Sequence, residues 1–161
     1  MKKLLRIKIL PLLTLLLIQS TISWGQLFVE NFDYTIGTNL TSNGWTAHSS
    51  GGATPNPITV TNGLTFIGYI ASGIGGAALV DNTGEDDSRT FSVQSSGVVY
   101  TAFMVNVTTT SAGYFLHLGG SSMGTTFRGR VFLDATNHFG LSVGSNTGTF
   151  ATTTYNIGQT Y

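Results

Sequence analysis

The longest strand-like run is Val98–Val107, which is apolar on both faces of a two-residue period, and a second apolar run, Ala112–Leu118, follows after a short polar linker. Successive side chains of a strand point to opposite faces, and both sets in Val98–Val107 include β-branched or aromatic residues. We therefore expect a central strand that is covered on both faces. The second run should return beside it as an antiparallel hairpin. The side chains expected at the hydrophobic centre are Phe103, Val105, Leu116, Leu118, Val131 and Leu133.

Shorter alternating runs follow one another along the rest of the chain, separated by Gly, Asn, Ser and Pro. None shows the 3.6-residue apolar period of a helix. The pattern predicts an all-β fold, a two-sheet antiparallel β-sandwich. Asn62-Gly63 predicts a two-residue hairpin turn. The other predicted strands are Leu27–Phe32, Ile58–Val60, Leu64–Tyr69, Ala77–Asp81, Arg89–Val93, Thr126–Asp134, Phe139–Val143 and Thr149–Thr154.

The first 25 residues have the pattern of a secretory signal peptide. Four basic residues precede the apolar run Ile9–Ile18, and Ser23-Trp24-Gly25 places small residues for cleavage before Gln26. A transmembrane anchor is the alternative, but it needs about 20 apolar residues and this run is about half as long. A lipoprotein anchor is excluded because no Cys follows. We expect a secreted protein, with residues 26–161 as one β-sandwich domain.

Removal of the leader changes the charge of the protein. The remaining chain has three arginines and seven carboxylates, so its formal charge is −4. An acidic chain with three cationic side chains lacks the charge needed to hold phosphate backbones, and we expect no nucleic-acid partner and no membrane insertion. The chain has no Cys, so the oxidising export compartment provides no disulfide.

Several aromatic and glycine-containing segments match a known pattern; they are Glu30–Tyr34, Gly44–Thr46, Gly63–Phe66, Glu85–Phe91, Tyr114–Gly119, Phe127–Phe132 and Phe139–Leu141. Together they resemble the N-terminal concanavalin A-like (laminin G-like) jelly-roll module of large bacterial surface proteins. Such proteins are typically exported by the type IX secretion route and carry a C-terminal sorting domain. The resemblance covers residues 27–161 and implies a jelly-roll sandwich that works beside other domains of the same protein.

The chain departs from the resembled pattern at its end. Tyr155–Tyr161 has the character of an approach to another strand. We therefore expect the sandwich to be incomplete at Tyr161 and the sequence to be the N-terminal part of a longer protein.

An acidic loop offers the densest cluster of oxygen ligands. Asp81, Glu85, Asp86 and Asp87 lie within seven residues, and Ca²⁺ binds six to eight oxygens of this kind. The spacing differs from that of an EF-hand. A solvated turn in which one carboxylate pairs with Arg89 is the alternative. Modules of the resembled fold often bind Ca²⁺ near a sheet edge, so calcium is the one cofactor we consider.

A polar patch is predicted on one face of the sheet. Arg128 and Arg130 alternate along one predicted strand and should share a face, and His117 on the neighbouring strand could join them. In a jelly roll, glycans lie on the concave face, held by polar side chains and flat aromatics. An ordinary solvent-facing surface is the alternative. Trp45 could stack on a sugar ring, although a lone Trp after a turn glycine is more often a core anchor.

Catalytic patterns are absent from the sequence. Jelly-roll glucanases carry Glu-x-Asp-x-x-Glu on one strand, whereas Glu30-x-x-Asp33 has the wrong spacing and no third acid. We therefore expect a non-enzymatic binding or adhesion module, with a glycan or an extracellular polysaccharide as its ligand. A purely structural spacer domain is the first alternative, and a polysaccharide hydrolase is the second.

Overall fold

The protein is rich in β-structure. The computed structural model describes residues 25–49, 56–120, 122, 124, 126–144 and 146–161. Within these ranges the strands pair only antiparallel, and the one helical element is a 3₁₀ turn at Leu40–Asn43. The strands are β1 (Thr46–Ser49), β2 (Thr59–Asn62), β3 (Gly76–Leu79), β4 (Asp86–Ser88), β5 (Gly113–Gly119), β6 (Phe127–Leu133), β7 (His138–Ser142) and β8 (Thr149–Thr154).

The last four strands form one sheet in the order β5-β6-β7-β8. Each pairs with the next along the chain, so three turns connect the sheet as a simple meander. The predicted strands in this half of the chain, from Ala112–Leu118 onward, are confirmed to within two residues at each end.

The first half of the chain pairs differently from the prediction. Strand β2 pairs with β3, and Leu64–Tyr69 contains turns instead of a strand. The predicted hairpin at Asn62-Gly63 is therefore wrong: the chain takes a longer loop and returns at Gly76. The backbone N–H of Gly76 donates to the carbonyl oxygens of Asn31 (2.9 Å) and Phe32 (3.2 Å), so the Leu27–Phe32 segment is held by this loop without forming a strand.

A small two-stranded sheet joins β1 to β4. Thr46 pairs with Ser88 and Ala47 with Asp87. The predicted strand Arg89–Val93 lies immediately after β4 and has no regular pairing. The pairing places Trp45 and Arg89 at the same end of this sheet, which positions the site described below.

The prediction of a central strand at Val98–Val107 is wrong. The segment carries one isolated bridge, between Asn106 and Thr160, and the end of the chain takes the place beside it where β5 was expected. Several of its side chains lie in solvent: Val98 is 74% exposed and Tyr100 88%. The ring of Phe103 still contacts Phe115 of β5 edge-to-face, with 6.3 Å between centroids. Phe103 thus lies beside β5, as expected, but its segment does not pair with β5 through backbone hydrogen bonds.

The hydrophobic centre also lies elsewhere than predicted. Phe103 is 38% exposed, and the other five expected core residues are only half-buried. Which rings become buried depends on the residues that pack against each face of a sheet. The alternation of residues along a single strand does not contain this information. The most deeply buried apolar side chains are Leu40, Val60, Val107, Phe132 and Tyr155.

The antiparallel, β-rich character agrees with the expected fold class. The arrangement of the sheets as a jelly-roll sandwich stays a prediction. The leader and its cleavage site lie outside the described residues. Within the described ranges, no helix has the length and apolar character needed to cross a bilayer.

Candidate ligand-binding surfaces

Arg130 lies inside a cluster of aromatic rings. Its guanidinium carbon is 4.0 Å from the centroid of Phe127 and 4.8 Å from that of Tyr114, and the residue is only 4% exposed. One guanidinium nitrogen donates to the Oδ1 of Asn146 at 2.8 Å. A delocalised cation between two rings gains a cation–π attraction that grows as water is excluded. Arg130 therefore works here as a buried packing residue between these rings.

Arg128 is exposed, although it lies only two residues before Arg130 on the same strand. The reason is a bulge: Leu118 pairs with Arg128 but Leu116 pairs with Val131, so β6 has an extra residue in this interval. Gly129, with φ +54°, adopts the left-handed conformation inside it. A bulge breaks the two-residue alternation on which the shared face of the two arginines was predicted.

His117 joins the aromatic cluster. Its ring meets Phe127 edge-to-face at 4.5 Å and Tyr114 at 5.9 Å. Its Nδ1 lies 3.2 Å from the carbonyl oxygen of Leu118. The structure thus brings His117 and Arg130 together around two shared rings, while Arg128 lies in solvent. Whether a glycan binds this group stays a prediction.

The acidic segment divides into an exposed turn and a buried pair. Asp81 Oδ1 accepts from the backbone N–H of Thr83 at 2.7 Å and closes a local turn. Glu85 is 7% exposed, and both carboxylate oxygens of Asp87 are buried. Burial raises the pKa of Asp87 to about 7, helped by a hydrogen bond with Glu85 and by the charges of Glu85 and Asp86.

The calcium prediction is not supported by a ready-made ligand set. In the part of the chain that the structure describes, no group of three carboxylates or imidazoles converges as it would around a cation. Arg89, the partner considered for the acidic loop, forms an ion pair with Glu30. Calcium binding by Asp81, Glu85, Asp86 and Asp87 stays a prediction.

Trp45 belongs to a network centred on Glu30. Its indole Nε1 donates to Glu30 Oε2 at 3.3 Å, and its ring stacks on Phe32 with 5.7 Å between centroids. The Tyr34 hydroxyl donates to the same carboxylate oxygen at 3.0 Å. Arg89 forms an ion pair with Glu30 and a 2.6 Å hydrogen bond to the Tyr34 hydroxyl. The network fixes the end of the β1–β4 sheet, and Trp45 acts within it as an anchor.

An open cleft lies along β1 and β4, immediately beside this network. Its volume is about 360 Å³, which is within the size range of small-ligand sites. One glycine and five polar or ionisable residues line it: Gly44, Thr46, His48, Ser88, Arg89 and Thr90.

The strand pairing explains why the cleft is polar. Thr46 lies directly opposite Ser88, and the cleft is also lined by His48 on β1 and by Arg89 and Thr90 just after β4. The register shifts between Ala47 and Ser49, so the place of His48 does not follow from regular alternation along β1. Three hydroxyls, one imidazole and one guanidinium are thus presented side by side.

Sequence reasoning missed this cleft. A signal was present, since Thr46-x-His48 and Ser88-x-Thr90 each place polar residues two apart. These two pairs of polar residues indicate a shared surface only once it is known that the two segments, about forty residues apart, form one sheet. The comparisons with known proteins do not help to place it: no family model matches the chain, and neither the curated proteins nor the solved structures gave a match.

Proposed function

We propose that the protein is a secreted, non-catalytic binding module of a bacterial surface protein, and that its ligand is an extracellular glycan. The observation that carries the proposal is the polar cleft along β1 and β4. Sugars present rows of hydroxyl groups, which both donate and accept hydrogen bonds. The cleft offers the matching groups in the hydroxyls of Thr46, Ser88 and Thr90.

The charge in the cleft favours a neutral sugar over an anionic one. Arg89 is the cationic side chain at this surface, and its guanidinium is already paired with Glu30 and hydrogen-bonded to Tyr34. A paired arginine keeps N–H groups for hydrogen bonding while its charge is largely neutralised. Its remaining N–H groups would hold a sugar hydroxyl in a fixed direction.

The proposed fold is a jelly-roll sandwich of the concanavalin A-like type, exported by the type IX route and linked to further domains. The antiparallel strand pairing and the resemblance of residues 27–161 support it. A non-catalytic role is favoured because Glu30, the carboxylate paired with the cleft residue Arg89, accepts bonds from Phe32, Tyr34, Trp45 and Arg89. A carboxylate with these partners is poorly placed to exchange a proton with substrate.

Affinity electrophoresis in gels containing neutral polysaccharides tests the proposal. The protein should be retarded in at least one gel and should release no reducing sugar. The His48→Ala/Thr90→Ala double variant removes two exposed cleft side chains and should migrate without retardation. The Thr152→Ala/Thr154→Ala variant, changed on exposed β8, is the matched control and should be retarded like the wild type.

Each other outcome has a definite meaning. Absence of retardation in every gel would favour the structural spacer. Release of reducing sugar would favour the hydrolase. Retardation that survives in the His48→Ala/Thr90→Ala variant would keep the binding function but remove the cleft as its site.

A further inference from the structure

The chain contains two Asn-Gly pairs, Asn43-Gly44 and Asn62-Gly63. In such a pair the backbone nitrogen of the glycine can attack the side-chain amide carbon of the asparagine, because no Cβ on the glycine obstructs the approach. The products are a cyclic succinimide and ammonia. Water then opens the ring and leaves aspartate or isoaspartate in place of asparagine. The surroundings of the two pairs differ in the folded protein.

Asn43 is held by hydrogen bonds on both sides of the reaction. Its Nδ2 donates to Thr38 Oγ1 at 3.0 Å and to the carbonyl oxygen of Asn39 at 2.9 Å. The N–H of Gly44, which contains the attacking nitrogen, donates to the carbonyl oxygen of Leu40. The attack requires that the amide group rotates and that the glycine nitrogen loses its proton. These three hydrogen bonds must therefore open before Asn43 can react.

Asn62 lacks these restraints. It is the last residue of β2 and is exposed. Within the part of the chain that the structure describes, no hydrogen bond holds its side chain, and the N–H of Gly63 has no acceptor. The N–H of Gly76, opposite Asn62 in the β2–β3 register, donates instead to the carbonyl oxygens of Asn31 and Phe32. Only the end of one strand has to open for the attack on Asn62.

Packing explains why the reactive pair contains a glycine. A Cβ at position 63 would collide with the backbone carbonyl oxygen of Gly75, and a Cβ at position 75 would collide with that of Asn31. The three chain segments are therefore stacked backbone against backbone. A larger residue after Asn62 would slow the attack, but this fold has no room for one. The fold thus requires the glycine that makes Asn62 reactive.

We propose that Asn62 is a site of spontaneous covalent modification, at which the side-chain amide is replaced by a carboxylate, while Asn43 stays intact in the folded protein. The bond between Cγ and Nδ2 of Asn62 breaks, and a bond between Cγ and the Gly63 nitrogen forms. The proton lost by that nitrogen leaves with the amide group as ammonia. Water then cleaves one of the two C–N bonds of the ring. One water is consumed and one ammonia released, and no oxidant or reductant is needed.

Peptide mapping by mass spectrometry, after incubation of the folded protein in buffered ¹⁸O-water, tests the proposal. Opening of the succinimide incorporates heavy oxygen at the modified residue, and both isoaspartate and aspartate should form at position 62. Asn62 should react at least about tenfold faster than Asn43, because three hydrogen bonds protect Asn43. Asn62→Gln should abolish the labelling at position 62, because its longer side chain would have to form a larger and slower-forming ring.

The same incubation in concentrated denaturant is the matched control. Both Asn-Gly pairs are then free of the fold, and they should react at similar rates. An Asn62 that stays intact in the folded protein, or an Asn43 that reacts as fast, would overturn the proposal. Aspartate without isoaspartate at position 62 would indicate direct hydrolysis and would contradict the attack by Gly63. A rate difference that persists unchanged in denaturant would assign it to the neighbouring residues instead of the fold, and would overturn the proposal as well.

Discussion

The two sheets that carry the arginines use them in opposite ways. In the four-stranded sheet, Arg130 is 4% exposed and lies between the rings of Phe127 and Tyr114. Beside the two-stranded β1–β4 sheet, Arg89 is exposed and pairs with Glu30 at the wall of an open cleft. An arginine on an amphipathic strand can thus be a packing element or a surface group. The neighbouring rings, more than the position in the pattern, decide which role it takes.

The candidate ligand surface proposed here lies on the smaller sheet. The sequence predicts a ligand patch on the four-stranded sheet, around Arg128 and Arg130, but Arg130 is enclosed by aromatic rings. The narrow sheet, whose strands contain only three and four residues, instead presents several unenclosed polar side chains. We therefore expect substitutions in the four-stranded sheet to change stability and substitutions in the β1–β4 cleft to change ligand binding.

The largest expected effect concerns the aromatic face of the four-stranded sheet. Phe132 is 6% exposed and contacts the rings of Tyr114 and Phe150. Phe132→Ala should lower the free energy of unfolding by about 3–5 kcal/mol, because it leaves a cavity in a packed region. Phe103→Ala, at a 38% exposed ring, should cost less than half as much. Chemical denaturation measures both, and the reverse order would restore the predicted core.

Arg130 and Arg128 provide a matched pair on one strand. Arg130→Ala should lower the free energy of unfolding by about 2 kcal/mol or more, through lost cation–π contacts and the hydrogen bond to Asn146. Arg128→Ala, at an exposed position, should change it by about 0.5 kcal/mol or less. Equal losses in the two variants would show that the rings do not hold Arg130.

Arg89 extends this test to the other sheet. Arg89 is exposed, so Arg89→Ala should lower the free energy of unfolding by less than Arg130→Ala does. The expected order of destabilisation is therefore Arg130, then Arg89, then Arg128. A loss at Arg89 that exceeds the loss at Arg130 would reverse the roles assigned to the two sheets.

Asp87 should make stability depend on pH. Its pKa in the folded protein is raised to about 7 by burial and by its acidic neighbours, against 3.8 for an ordinary aspartate. The stabilising contribution of the protonated form is complete below pH 3.8 and is lost as pH rises through 7. Asp87→Asn should reduce this loss in unfolding curves measured between pH 4 and 8. Asp86→Asn, at an exposed position, should keep most of the slope.

Asp134 should give a smaller effect of opposite sign. Partial desolvation raises its pKa, but hydrogen bonds from the backbone N–H groups of His138 and Thr136 and from their side chains outweigh this and lower it to about 2. Its contribution is present above pH 3.8 and is lost as pH falls through 2. Asp134→Asn should weaken the acid transition, while Asp33→Asn, at an exposed position, should leave it in place.

The sequence predicts the fold well where strands follow one another directly. Strands β5 to β8 pair with their neighbours along the chain, so alternation and turn residues suffice to find them. The sequence predicts strand pairing poorly where the partners are distant along the chain. Strand β1 pairs with β4, about forty residues away, and Val105 pairs with Tyr161. Apolar alternation in Val98–Val107 marks a segment suited to a sheet but does not say which strand lies beside it.

The candidate site shows the same division. The sequence predicts that Arg128 and Arg130 lie on one strand. It does not predict the bulge at Gly129, which leaves Arg128 exposed while Arg130 is buried. A glycine between two arginines is compatible with an ordinary strand, and only its φ of +54° reveals the break. The sequence does not identify the cleft hydroxyls as ligand-binding groups, for another reason. Thr and Ser are common at exposed strand positions, so their type alone does not indicate a ligand.

The most direct test of the central claim is a ¹H–¹⁵N NMR titration with a polysaccharide fragment that retards the protein in affinity gels. We expect the largest shift changes at Thr46, His48 and Ser88–Thr90, with small changes at His117, Arg128 and Arg130. Shift changes concentrated at His117, Arg128 and Arg130 would contradict it and would place the glycan on the four-stranded sheet.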